Sequence, residues 1–376
     1  MLYNFNINKK ANSFLVIDVD AIVSNYRTLK SKLTSAHCAA TLKANAYGLG
    51  VKKIAPALDK AGCSTFFVAT LDEAVELRKI LNSNRKSILV LNGFLAGTGR
   101  IFQRYNITPV LNNFCQLEKW VEFNATLKDG QKAALHLDTG INRLGLDKKD
   151  IARLMKNPQI LNKANIYMLL SHLACSDEPE NTMNNYQLKE FHSLIGRLPK
   201  ITASLANSGG IYLGKKFHFD LVRPGLALYG SLPGHPQNNL TNCISLYGRV
   251  LQLREVDKGQ LIGYGGTHKL IKRSRIATIG VGYADGYQRS LSGLSTVFHY
   301  GTPLPIVGRI SMDSITVDIS NLPENKLKEG DFVELLGKNF TIDQAACLAQ
   351  TVPYEMITAL GRRHYRYYNQ IKMDYK

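Results

Sequence analysis

TFFVATLDEAVELRKIL (Thr65–Leu81) changes character halfway along. Its first part is a short apolar, β-rich run; its second part carries apolar residues at helical spacing with charges between them. That pair is one strand–helix unit, and the chain repeats it. Comparable runs occur at CAATLKA (Cys38–Ala44), SILVLNG (Ser87–Gly93), ITPVLN (Ile107–Asn112), AALHLDTG (Ala133–Gly140), IYMLLSHLA (Ile166–Ala174), ITASLANS (Ile201–Ser208) and FDLVRPGLALYG (Phe219–Gly230). Several precede helical patterns, as NFCQLEKWVEF (Asn113–Phe123) does. Strands alternating with helices imply a parallel sheet. Setting aside the first run, SFLVIDV (Ser13–Val19), eight units remain, the number of a (β/α)8 TIM-like barrel.

After about residue 240 the texture changes. ISLYGRVLQLREV (Ile244–Val256), RIATIGVGYADG (Arg275–Gly286), STVFHYGTPLPIVGRI (Ser295–Ile310), SITVDISN (Ser314–Asn321) and DFVELLG (Asp331–Gly337) are β-rich and divided by Gly, Pro and Asp. Helical periodicity returns only at IDQAACLAQ (Ile342–Gln350). The reading is a barrel over 13–240 and a mostly antiparallel β domain over 241–376, with residues 1–12 free to join the latter. The boundary rests on the turn formers of GHPQNNLTN (Gly234–Asn242).

Composition narrows the function classes. Hydrophobic residues are 45% of the 376, which excludes a disordered chain. No stretch approaches the roughly 18–20 apolar residues that span a bilayer, and the N-terminus lacks a secretory pattern. Six cysteines without a CxxC pair argue against a disulfide framework or a structural zinc site; they read as reduced, buried thiols of a cytoplasmic protein, and no metal is expected. The net charge of +18 raises nucleic-acid binding. The basic residues are dispersed, however, and the densest cluster, RRHYRYYNQIK (Arg362–Lys372), accompanies no nucleic-acid motif. A surface that favours anionic ligands is the better reading.

In a barrel, functional groups project from the C-terminal strand ends. Four candidates stand there: Lys43 after AATL, the DTGINR segment after AALHL, His172 after MLLS, and the turns Asn207-Ser208-Gly209-Gly210 and Arg223-Pro224-Gly225 after the last two strands. The last two strands of such barrels often bind phosphate, and small amide-rich turns suit an anion. Lys43 is the sharpest feature, because lysine in an apolar strand end is either paired or chemically used. Desolvation lowers its basicity, and the neutral amine can form a Schiff base or take a proton.

At these residues the chain resembles the alanine racemases. KANAYGLG (Lys43–Gly50) is similar to their pyridoxal-phosphate lysine motif. DTGINRLG (Asp138–Gly145), SHLACSD (Ser171–Asp177), ANSGG (Ala206–Gly210), RPGLALYG (Arg223–Gly230), GYGGTH (Gly263–His268), VGYADGYQR (Val281–Arg289), VGRISMD (Val307–Asp313) and PYE (Pro353–Glu355) follow in the family's order. The resemblance implies pyridoxal phosphate held as a Schiff base on Lys43, with alanine as substrate. It implies two bases, Lys43 acting on the D-enantiomer and Tyr264 on the L-enantiomer; the composition alone could not separate Tyr264 from Tyr247, Tyr283 or Tyr287. Arg223 is implied at the pyridine nitrogen with His172 orienting it. Tyr47, Ser208, Tyr354 and the amides of Gly225 and Leu226 are implied at the phosphate, and Asn207 beside them or in a structural role.

Arg143 is implied to pair with the substrate carboxylate. Tyr283, Met312 and Asp313 are implied on the substrate side, with Tyr283 and Tyr354 narrowing the entrance. The family's β domain completes the site of a second copy, which implies a homodimer with shared sites. The role implied is D-alanine supply for peptidoglycan. The chain departs from the family at His136, where many members carry a lysine that is carbamylated and positions the arginine; His136 itself, a water or a bound anion such as chloride would have to act instead. Leu49 and Ile141 are smaller departures. Alternatives on this architecture are a decarboxylase, a broader-specificity racemase, or a non-catalytic pyridoxal-phosphate-binding protein. Arg223 and the Tyr264 motif disfavour the first, the lack of a secretion signal the second, and the long β domain the third.

Overall fold

The computed structural model describes residues 10–369. The chain divides into one compact unit over Ile22–Leu240 and another formed by the segments on either side of it.

The first unit is the barrel. Seven parallel strands run in chain order as neighbours: Ala40–Thr41, Thr65–Val68, Ser87–Val90, Thr108–Leu111, Ala133–His136, Ile166–Leu170 and Thr202–Ser204. Leu221–Val222 is the eighth. It pairs in parallel with His37–Cys38, just before the first strand, while Asp220 N donates to Ala203 O and Arg223 N to Ala206 O. These bonds close the sheet on itself and leave no free edge. The interior is packed, with Ala39, Phe67, Leu89, Val110, Ala134, Met168, Leu170 and Leu221 in contact and buried. Small alanines facing Phe67 and Met168 let the layer fill at native density.

Local signals place the helices. Thr70 caps Leu71–Leu81 in a capping box with Glu73, and Asn113 caps Phe114–Asn124 through Gln116 N. Both fall within a residue of the periodicity read above.

The second unit is mostly antiparallel. Its long strand Ile244–Val256 pairs antiparallel with Ser13–Asp18, Ser274–Ile279 and Phe332–Leu336. Ser13–Asp18 also pairs in parallel with Tyr365–Asn369. The run SFLVIDV therefore belongs with the β unit, not at the start of a barrel over 13–240. Phe14 stacks on Tyr247 and meets Phe332 edge-on, with centroids 4.8 and 4.9 Å apart. Nothing local in an apolar strand says which sheet will pair with it; those contacts decide. Ala11 and Asn12 accept hydrogen bonds from Arg249 in the same unit, whereas residues 1–9 and the last part of the basic tail, 370–376, lie outside the described residues.

The expectation of uniformly buried thiols needs correction. Cys38, Cys63 and Cys243 are buried, but Cys115 and Cys347 are exposed and Cys175 is half-buried. The two exposed ones sit on solvent-facing sides of surface helices. Among the described residues no helix is long and apolar enough to cross a membrane.

Candidate active site

Parallel register brings the strand ends level. His136 lies opposite Leu170, and Leu170 opposite Ser204, so His136, the Ser171–His172 pair and the turn before Asn207 emerge together. Thr41 N donates to Pro224 O, which sets Lys43 beside the Arg223-Pro224-Gly225 turn. Residues far apart in sequence thus meet at one rim, where barrel chemistry resides.

Lys43 enters a turn in which Ala44, Asn45, Ala46 and Tyr47 all have left-handed φ, between 52 and 56°. For non-glycine residues this conformation costs about 1–2 kcal/mol each, so the surroundings must hold it. Asn45 Oδ1 accepts from Val51 N at 2.8 Å, and Glu73 Oε1 accepts from Ala44 N at 2.6 Å. The turn brings the Tyr47 hydroxyl against the Gly225 backbone. Burial first, then the positive charge of Arg143, holds the Lys43 amine below the ordinary lysine range; Glu73 acts in the opposite direction.

Arg223 is buried and held by several hydrogen bonds. Its Nη1 donates to Ser204 Oγ and its Nη2 to Ser171 O, both at 2.5 Å, with His172 Nδ1 at 3.5 Å. Burial lowers Arg223 to about 10, so it remains a cation at neutral pH. His172 is driven well below its ordinary value by burial, then by Arg223, and is neutral, which lets its Nδ1 accept from the guanidinium.

A small cradle lies beside this pair. The amides of Gly225 and Ala227 both donate to Ser208 Oγ, at 2.9 and 3.2 Å. A Cβ on Gly225 would fall 2.2 Å from Tyr47 Oη, so only glycine lets the phenol approach that backbone. Two hydroxyls and adjacent amides are the donor set a phosphate dianion needs. The Ala227 amide is thus a further donor held at Ser208. Asn207 caps the short helix Ser208–Tyr212 through Gly210 N, the structural role left open for it. The donors, the depressed amine of Lys43 and the buried cation of Arg223 fit pyridoxal phosphate.

Arg143 is exposed on an excursion, 138–145, that leaves and rejoins the rim. Asp138 accepts from the amides of Gly140, Ile141 and Asn142, and Leu146 N returns to His136 O. Gly145 closes it at φ 107°, where a Cβ would meet Asp138 N at 2.8 Å. Sequence reasoning passed over Asn112, although it is the polar residue directly after its strand. Asn112 O accepts from Gly145 N, its side-chain NH2 donates to Leu91 O and Val110 O, and its Oδ1 faces His136 Nδ1. Glu73 was legible as the last residue of a Thr-x-x-Glu capping box; its reach to Ala44 was not.

The remaining candidates lie in the β unit. The amides of Tyr283 and Ala284 donate to Ser311 O and Met312 O, which brings Tyr283, Met312 and Asp313 together. Arg363 ties Asp313 at 2.7 Å to the buried Asp285 at 3.2 Å. Tyr264 forms a tight turn with Gly265 and Gly266 and is 71% exposed. Tyr354 sits in the first turn of the helix Pro353–Ala359, partly exposed.

A closed barrel with a half-buried lysine of lowered basicity and an anion cradle at its rim, followed by a β domain, defines a class of two-domain lysine enzymes. The family models "Alanine racemase, N-terminal domain" and "Alanine racemase, C-terminal domain" match residues 17–233 and 243–368, and the chain belongs to the alanine racemase family. It is 45% identical to the alanine racemase of Brucella abortus over 95% of this chain and 94% of that one. It is 40% identical to that of Rhodospirillum rubrum, over 96% and 97%. Among solved structures, alanine racemase from Bartonella henselae with covalently bound pyridoxal phosphate aligns at TM-score 0.92 and 44% identity, covering 96% of this chain and all of that one. The biosynthetic alanine racemase of Pseudomonas aeruginosa aligns at 0.87 and 33%, over 96% of this chain and 100% of that one.

Proposed function

We propose that the chain interconverts L- and D-alanine, supplying D-alanine for peptidoglycan, with Lys43 and Tyr264 as bases on opposite faces of the substrate carbon. As a member of this family it is a pyridoxal-phosphate-dependent racemase. The cofactor supplies an electron sink that makes the Cα proton removable. Lys43 would hold the cofactor through its amine, Arg223 would face the ring nitrogen, and Tyr47, Ser208, Tyr354 and the amides of Gly225 and Leu226 would receive the phosphate.

The carrying observation is the state of Lys43. Its burial and the nearby Arg143 favour the neutral amine, the form that bonds an aldehyde and accepts a proton. Arg223 stays protonated and cannot give its proton away, so a ring nitrogen facing it stays unprotonated and the electron sink is moderate. Two bases are needed because one alone returns the proton to the face it left. Arg143 would pair with the substrate carboxylate in bidentate fashion.

We assign Tyr264, Tyr283, Met312 and Asp313 to the site of a second copy in an isologous homodimer. The exposed apolar groups Leu261, Tyr264 and Ile271, close together in sequence around one hairpin, support a covered face. The cytoplasm is the compartment we propose, in keeping with six free thiols. The test is racemisation of both alanine enantiomers by a yellow protein. Borohydride reduction should attach the cofactor to the Lys43 peptide, and Lys43→Ala should be colourless and inactive. A reducible link at another lysine would overturn the assignment.

A further inference from the structure

Glu73 makes a contact that capping a helix does not require. Within its own helix the capping box is complete: Thr70 Oγ1 accepts from Glu73 N, and Glu73 Oε2 accepts from Thr70 N at 3.2 Å and Ala69 N at 2.7 Å. The second oxygen, Oε1, crosses to another strand end and accepts from Ala44 N at 2.6 Å, the amide directly after Lys43. That amide opens the left-handed turn Ala44–Tyr47, whose backbone is unfavourable without such an anchor. We infer that Glu73 is the positioning residue of Lys43, its carboxylate spanning the Ala44 and Ala69 amides so that the lysine leaves its strand in one fixed direction. This rests on Lys43 being the cofactor lysine proposed above.

Charge supports the geometry. The turn packs against the helices Val51–Lys60 and Leu71–Leu81 and the strand Thr65–Val68. Those helices bring Lys52, Lys53, Asp59 and Lys60, and Asp72, Glu73, Glu76, Arg78 and Lys79. Of these only Glu73 acts on Lys43, raising it, while Arg143 from the rim lowers it; Lys43 in turn acts on His172. Removing the carboxylate therefore moves the Lys43 amine further down.

The experiment compares wild type with Glu73→Gln, Glu73→Asp and Thr70→Ala. The rate of Lys43 acylation by acetic anhydride in the cofactor-free full-length chain, read by peptide mass spectrometry, gives the pH of half-reaction. With Glu73→Gln this point should fall, because the one group raising Lys43 is gone. A Gln offers one acceptor oxygen where the carboxylate uses two, one for Ala44 N and one for Ala69 N and Thr70 N, so kcat should fall about tenfold or more, with a much smaller change in KM. Glu73→Asp keeps the charge but is too short for the span; it should lose kcat even if Glu73→Gln fails to fold. Thr70→Ala should lower Tm alone. If Glu73→Gln behaves like Thr70→Ala, or if Glu73→Asp keeps full kcat, the positioning role is overturned. Covalent cofactor uptake by Lys43→Ala would instead sink the reading of the lysine itself.

Discussion

His136 donates its Nδ1 proton to Asn112 Oδ1 across 2.9 Å, and Asn112 fixes that direction. The amide NH2 of Asn112 is committed to Leu91 O and Val110 O, at 2.8 and 3.0 Å, so its oxygen must face the ring. The proton therefore sits on Nδ1, and the buried Nε2, without a partner among the described residues, is left as an acceptor. A lone pair suits a donor such as a guanidinium or a water and repels an anion. Of the three ways considered for steadying Arg143, a chloride at this nitrogen is the one disfavoured. Omitting chloride in a zwitterionic buffer should leave the KM for alanine unchanged, while His136→Leu should raise it about tenfold and His136→Gln, which keeps an acceptor, by less.

The same histidine sets a pH dependence of stability. Burial and the charge of Arg223 lower His136 to about 4 from its ordinary 6.5. As pH falls through about 6.5 the unfolded chain takes up a proton that the folded chain refuses until about 4. Stability from this group is thus fully present above about pH 6.5 and is lost on acidification, by about 3 kcal/mol once below both values. His172 is lowered by the same cause and adds to the trend. Tm should drop between about pH 7 and pH 5, and His136→Gln should flatten that slope; an unchanged slope would contradict a buried neutral ring.

Gly225→Ala should damage the anion cradle. The new methyl would lie 2.2 Å from Tyr47 Oη and 3.0 Å from its ring carbon. The cofactor dissociation constant, read by equilibrium dialysis, should rise tenfold or more, roughly the loss of one or two charge-assisted hydrogen bonds. Removing the phenol as well, in Gly225→Ala with Tyr47→Phe, relieves the steric conflict and should recover Tm without recovering affinity.

The proposed sharing of sites between two copies can be tested by complementation. Lys43→Ala and Tyr264→Phe chains should each be inactive or nearly so. Mixed under conditions where subunits exchange, they should regain part of the activity, since half of the sites in a hybrid dimer pair a native Lys43 with a native Tyr264. Tyr264→Phe alone should slow proton removal from L-alanine more than from D-alanine. Full exchange without recovery would place both bases on one chain.

The strand–helix repeat was readable because each unit carries its own period, and a period is a property of neighbours in sequence. Leu71–Leu81 shows this best: its apolar spacing, its Thr70 cap and its Glu73 are all local. The run Ser13–Asp18 shows the limit, since a strand signal says nothing about the partner strand, and pairing with residues more than two hundred positions away decided its domain. The site divides the same way. Lys43, Arg223 and Ser208 were visible as polar residues at apolar strand ends, whereas Asn112, Ser204 and the reach of Glu73 to Ala44 exist only once strands stand side by side.

By itself the amino-acid order determined the succession of eight strand–helix units, the β-rich second half and the chemical identity of the groups at the strand ends. Only tertiary structure decided the rest: which strand closes the barrel, which nitrogen of His136 carries the proton, why Gly225 admits the Tyr47 hydroxyl, and how far burial lowers an amine. Periodicity, capping and turn chemistry act within a few residues, whereas desolvation and hydrogen-bond saturation depend on what the folded chain brings within a few ångströms.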